Sequence, residues 1–160
     1  MFSLYDEGIT NNTPSSTIEI NQLVDIIRNN PYGKDFSTLR SLSKEDSKYS
    51  ELKLDLPRCQ PNCVVRYNSI KTENFQKNYV RGSGYVYLDI DNVTDAERYK
   101  QQLICNYPDM ISLICISSGG KGLSLLIRIN EIISSHCHFK KVMQFLKREI
   151  FTGLNFDEKT

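Results

Sequence analysis

Two aspartates one residue apart, Asp89 and Asp91, close the run Tyr85-Val86-Tyr87-Leu88-Asp89-Ile90-Asp91, and the chain turns polar directly after them. In a strand the side-chain period is two, so both carboxylates stand on one face and Ile90 turns with Leu88 toward the other. Like charges fixed side by side repel unless a cation lies between them, and a divalent metal ion is the usual solution. The other reading is a solvated strand end whose acids cap the helix that follows. These residues alone leave both open. Downstream, Ser117-Ser118-Gly119-Gly120-Lys121-Gly122 is a glycine-rich turn. Its backbone N–H groups can approach an anion, and Lys121 adds a point charge. The hydroxyls of Ser117, Ser118 and Ser124 can donate to phosphate oxygens. The turn lacks the Gly-x4-Gly-Lys-[Ser/Thr] order of a P-loop and joins two apolar runs. Taken alone it therefore reads first as a hairpin in which glycine serves the φ angles, and the anion-binding reading gains only from the Asp-x-Asp strand that would meet it at the same sheet.

A second group with possible chemistry is Cys59 and Cys63 with His136-Cys137-His138. Their spacings match no recognised zinc pattern, so structural cysteines are the expectation, with the histidines at the surface. Cys105 and Cys115 lie in apolar settings and read as small core residues.

The elements that must hold the acids follow from periodicity. Thr94-Asp95-Ala96-Glu97 reads as a capping box with threonine as the cap and glutamate reaching back. The helix it opens runs to about Asn106, with Ala96, Tyr99 and Leu103 on one face, and Pro108 ends it. Ile111 to Ile116 is a short β-branched apolar run, predicted as a central strand. After the glycine turn, Leu123 to Ile129 is the next strand. Ser134 or Ser135 would cap a helix with Phe139, Val142, Met143, Leu146 and Ile150 inward, and Gly153 suits its end. Leu154-Asn155-Phe156-Asp157 reads as the start of a further strand. This order predicts an α+β fold with an RRM-like split βαβ sheet (a βαββαβ core) and helices on one face.

Ahead of it, residues 1–16 read as polar loop. Ile20, Leu23, Val24 and Ile27 predict a helix stopped at Asn29-Asn30-Pro31, and Phe36, Leu39 and Leu42 predict a second. Residues 43–53 read as an exposed helix or turn, and Cys63 to Tyr67 as a strand. The expectation is one domain over 1–160, with a mostly helical lobe over 1–80 and the sheet core over 81–160.

The 160 residues are enough for a real core, and a net charge of +1 argues against a coating or packaging protein held by a global field while leaving room for a local basic strip. The N-terminus is polar and acidic, without the apolar segment of a secretory signal. No stretch approaches the roughly 18 apolar residues that span a bilayer. Five cysteines, an odd number, fit a reducing, cytoplasmic setting.

Leu88-Asp89-Ile90-Asp91 followed by Ser118-Gly119-Gly120-Lys121-Gly122-Leu123-Ser124 resembles the first two motifs of the archaeo-eukaryotic primase superfamily, the primase–polymerases. Asp157 falls where that family's third acidic motif would come. Lys53-Leu54-Asp55-Leu56-Pro57 is similar to a Lys-x-x-Leu-Pro segment of its VirE N-terminal-like branch, found in mobile-element and phage replication proteins. The resemblance implies a nucleotidyltransferase that makes or extends primers from NTPs or dNTPs on single-stranded DNA. It implies that Asp89, Asp91 and Asp157 hold two Mg²⁺ or Mn²⁺ ions, which activate the attacking hydroxyl and stabilise leaving pyrophosphate. Ser118, Gly119, Gly120, Lys121, Gly122 and Ser124 would hold the triphosphate. Arg128 is a further phosphate or template contact, or a surface arginine. A replicative helicase, fused or separate, is implied as partner by the resemblance alone. The family usually continues past the third acid, so the sheet core is expected to be truncated. Ser124 stands where many active members carry histidine. That sets a second expectation beside the first, a nucleic-acid-binding scaffold that keeps the fold without the chemistry.

Overall fold

The computed structural model describes residues 1–8, 12–66, 77–130 and 136–152. The chain divides into two compact units, Met1–Ser83 and Gly84–Thr160, of mixed helix and antiparallel sheet.

In the first unit, β1 (Phe2–Tyr5) is the middle of a three-stranded sheet, flanked by β2 (Ser16–Ile18) and β3 (Arg58–Gln60). β4 (Cys63–Val65) pairs antiparallel with β5 (Tyr79–Gly82). Three helices lie between β2 and β3: α1 (Ile20–Asn29), α2 (Phe36–Ser41) and α3 (Ser47–Leu54). Local chemistry sets their ends. Gln22 accepts from the Glu19 N–H at 2.9 Å at the start of α1, and Asn30 closes it in the left-handed region at φ 43°. Asp35 and Asp46 cap α2 and α3 by accepting from the N–H groups of Thr38 and Lys48.

The mostly helical lobe expected over residues 1–80 is thus corrected to a mixed unit, and the loop expected over 1–16 contains β1 and the first residue of β2. All four residues of β1 are buried, including Ser3, so no alternation marks it as a strand. Ser3 offers a reason for its place: its hydroxyl donates to the Val65 carbonyl at 3.3 Å and accepts the Val65 N–H at 3.0 Å, joining β1 to β4. A buried serine is tolerated because both its bonds are made.

The second unit carries β6 (Tyr85–Asp91), α4 (Ala96–Asn106), β7 (Ile111–Ile116), β8 (Gly122–Arg128) and α5 (His136–Thr152). The sheet order is β6-β8-β7, with both neighbours antiparallel to β8. β6 and β7 are therefore parallel, and α4 makes the crossover between them. The apolar run Ile111–Ile116 is not the central strand; among the described residues it pairs only with β8, which is the most buried of the three. Val86, Leu88 and Ile90 of β6 and Leu123, Leu125 and Ile127 of β8 form one face, packed with Leu103 of α4 and Leu146 of α5. Ala96, Tyr99, Phe139, Val142 and Met143 line the same core, so both helices cover one face of the sheet.

Two local expectations are also corrected. The cap of α4 is Asp95, whose carboxylate accepts from the Arg98 N–H at 3.0 Å, rather than Thr94. Glu97 turns to Lys100 and Gln101 instead of reaching back, since an i,i+3 ammonium is a stronger partner than a backbone amide. Cys105, expected in the core, is exposed on α4. Among the described residues no helix is long and apolar enough to cross a membrane.

Candidate functional site

The acids and the glycine turn meet at one end of β6 and β8. The register pairs Asp89 with Ser124 and Asp91 with Gly122, followed by Tyr87 with Leu126 and Tyr85 with Arg128. The two-residue period puts Asp89, Asp91, Tyr87, Ser124 and Arg128 on the face opposite the helices. Both aspartates are exposed. Cys115 of β7 lies across from Ser124 on that face, its thiol 3.8 Å from the Ser124 carbonyl.

The turn is a tight one. Gly120 N–H donates to the Ser117 carbonyl and Ser117 N–H to the Gly122 carbonyl, each at 2.9 Å. Gly120 sits at φ 78°, a conformation that side chains resist. Gly122 is glycine for a different reason. A Cβ there would lie 2.6 Å from the Ile90 carbonyl oxygen and 3.1 Å from Ser117 Oγ, so only a bare backbone lets the turn close on the acid strand. The chain beyond β6 is fastened to the same turn: Val93 N–H donates to the Lys121 carbonyl at 3.0 Å, after Asn92 turns the backbone at φ 56°. Lys121 is exposed at the tip, and Ser118, Gly119 and Gly120 are half-buried beside it.

Asp89 is held by hydroxyls. Ser124 Oγ donates to Asp89 Oδ1 at 3.1 Å, and the Tyr87 hydroxyl lies 3.0 Å from Ser124 Oγ. Either hydroxyl of that pair can donate to the other, and the Tyr87 phenol also bonds the Asp89 carboxylate. Burial pushes the Tyr87 phenol up to about 12, opposed by its bond to Ser124 and reinforced by the Asp89 charge. Burial and the neighbouring carboxylate thus favour the protonated phenol. Tyr87 escapes a reading focused on Asp-x-Asp, although the pattern Tyr-x-Asp-x-Asp places it on the acid face. Ser124, expected to donate to phosphate, is instead bonded to the acid.

The two carboxylates on one face supply the hard oxygens that suit Mg²⁺ or Mn²⁺ in donor type. Among the described residues no three His, Cys, Asp or Glu converge as a metal-binding group. Asp157, with the expected final strand, lies outside the described residues, as do Ser134, Ser135 and Gly153.

The cysteine–histidine group gains no support. Burial pushes the thiols of Cys59 and Cys63 up to about 12 and about 11, which disfavours the thiolates that a zinc ion needs. His138 is half-buried at the start of α5. No protein-family profile matches the chain, and neither does any curated protein or solved structure.

Proposed function

We propose that the chain is a metal-dependent nucleotidyltransferase domain of the primase–polymerase type, acting in replication of a mobile element or phage. The observation that carries this reading is the register that seats Asp89 and Asp91 directly against Ser124 and Gly122 of the glycine turn. A carboxylate pair and an anion-cradling turn are the two halves of a nucleotide–metal site, and here they share one sheet end. The RRM-like reading of the fold is supported by the parallel β6 and β7 with β8 between them and α4 as their crossover. Asp157, outside the described residues, is carried in the proposal as a third metal ligand.

The roles divide by chemistry. Asp89 and Asp91 hold Mg²⁺ or Mn²⁺, which when bound lowers the pKa of the attacking hydroxyl and neutralises charge on the leaving pyrophosphate. Lys121, with N–H groups of the turn other than that of Gly120, which donates to the Ser117 carbonyl, holds the triphosphate. Arg128, exposed two residue pairs beyond Ser124 on the acid face, is placed to meet a template phosphate. The template is single-stranded DNA, the setting is cytoplasmic, and a replicative helicase is the expected partner.

A second reading is favoured by one specific contact. Ser124 stands where an imidazole would reach a phosphate, and its proton goes to Asp89. A domain with that change can bind metal, nucleotide or strand without turning them over. Melting the protein with Mg²⁺ or Mn²⁺, with and without NTP, tests both readings. Both predict a metal-dependent rise in Tm that Asp89→Asn removes. Indifference of wild type and variant alike makes the acids structural. Nucleotide incorporation then separates enzyme from scaffold.

A further inference from the structure

The helix α5 is two-sided. Phe139, Val142, Met143 and Leu146 pack into the sheet core, and the opposite side is basic. Lys140, Lys141, Gln144, Phe145, Lys147 and Arg148 are all exposed. A turn of 3.6 residues puts both lysines of the first pair, Gln144, Lys147 and Arg148 within about a third of the helix circumference. They form a stripe about 12 Å long. Glu149, the one acid of the helix, lies at its flank, 3.1 Å from Arg148. Among the described residues no carboxylate pairs with Lys140, Lys141 or Lys147. Four cations are thus gathered on one helix of a chain whose net charge is only +1. Phe145 stands beside the stripe, 53% exposed, with the Arg148 guanidinium 5.4 Å from its ring centroid and Lys141 one turn before it.

We infer that the outer face of α5 binds single-stranded nucleic acid, its cations meeting phosphates and Phe145 stacking on a base. The charge of the stripe calls for a polyanion, and the rest of the face decides which. A membrane surface takes an amphipathic helix by its apolar side, and here that side is buried in the sheet core. A protein interface is built around a centre of several apolar side chains, whereas Phe145 is the one large apolar side chain exposed on α5 among the described residues. Single strands are held by a basic track with aromatic rings on which bases stack, and that is the combination present. A duplex keeps its base faces inside and leaves such a ring unused. The inference does not rest on the metal-site reading. α5 covers the sheet face opposite Asp89 and Asp91, so a strand held there is separate from the acids and from the contact proposed for Arg128.

Fluorescence anisotropy of a labelled oligothymidylate, titrated with the full chain in a chelator that removes divalent ions, tests this. Four phosphate contacts on a single strand give a slope of about −2.8 in log affinity against log salt. Wild-type affinity should therefore fall about fiftyfold between roughly 50 and 200 mM salt. Replacing two of the four cations, in Lys140→Ala/Lys147→Ala, should weaken binding, halve the slope and reduce that fall to about sevenfold. Phe145→Ala should weaken binding by roughly fivefold or more at an unchanged slope, and Phe145→Tyr should restore it. These side chains are exposed, so the variants should melt with wild type. The inference is overturned if wild type does not bind the oligonucleotide, or if Lys140→Ala/Lys147→Ala keeps the wild-type affinity and slope. It is equally overturned if Phe145→Ala binds as wild type does, or if polyglutamate or phosphatidylserine vesicles bind as tightly as the oligonucleotide, since the face would then take polyanions in general. Loss of binding in Arg128→Ala alone would put the strand on the acid face and overturn it too. None of these outcomes depends on whether metal shifts the melting of wild type or Asp89→Asn, so the two readings fail separately.

Discussion

Replacing Gly122 by alanine puts one methyl group where the glycine turn closes on the acid strand. The added Cβ would sit 2.6 Å from the Ile90 carbonyl oxygen, 3.1 Å from Ser117 Oγ and 3.5 Å from the Asp91 Cα. The first contact is with backbone, which cannot swing aside as a side chain can. An ordinary carbon–oxygen approach is about 3.3–3.6 Å, so β8 must part from β6 by several tenths of an ångström at the Asp91–Gly122 pair. Overpacking of this kind costs about 1–3 kcal/mol. Urea denaturation should show it as a lower midpoint with an unchanged slope. The same displacement carries Asp91 away from the turn, so the metal-dependent rise in Tm should shrink as well. Gly82→Ala is the control. Its Cβ meets only the Tyr79 hydroxyl at 3.2 Å, at the end of a side chain, and its cost should stay within about 0.5 kcal/mol. If Gly122→Ala is as stable as Gly82→Ala and answers metal as wild type does, the close approach of turn and acids is refuted.

Other consequences are quickly checked. Asp95→Ala should destabilise by about 0.5–2 kcal/mol through loss of the α4 cap, while Thr94→Ala stays within about 0.5 kcal/mol, both read from urea midpoints. Leu103→Ala removes a side chain with no exposed surface under α4 and should cost about 2–5 kcal/mol in the same assay. Alkylation of the native protein at pH 8, followed by mass spectrometry, should label exposed Cys105 quickly and leave Cys59 and Cys63 protected, because burial keeps both as thiols. Hydrogen bonds from the Thr38 hydroxyl, the Thr38 N–H and the Ser37 hydroxyl hold the Asp35 carboxyl well below the usual range. A carboxyl lowered by folding contributes stability above its unfolded pKa of about 3.9 and loses it as the pH falls further. Wild type should therefore lose more stability than Asp35→Ala when taken from pH 5 to pH 3.

The second unit was the more legible half, for a physical reason. Its strands and helices are long enough for periodicity to speak, and α4 ends at Asn106 as its apolar face and Pro108 foretell. The middle position of β8 was not legible, because pairing order depends on the crossover and not on which run is more apolar. Strands of three or four residues in the first unit carry too few side chains to show a period. In β1 every side chain is buried, so Phe2-Ser3-Leu4-Tyr5 offers no alternation to read. Asp89 and Asp91 announced themselves by spacing. Their link to Ser124 and Tyr87 required the strand register, which brings together residues 35 and 37 positions apart.

The central claim, that Asp89 and Asp91 form a working nucleotidyl-transfer site, is tested most directly by incorporation of labelled NTPs and dNTPs. The substrate is a single-stranded DNA template with Mg²⁺ or Mn²⁺, with and without an annealed primer. The account predicts extended or newly synthesised products with wild type and none with Asp91→Ala at equal folded concentration. Product formation that survives Asp91→Ala, or no product from a wild type that binds both metal and nucleotide, would contradict it.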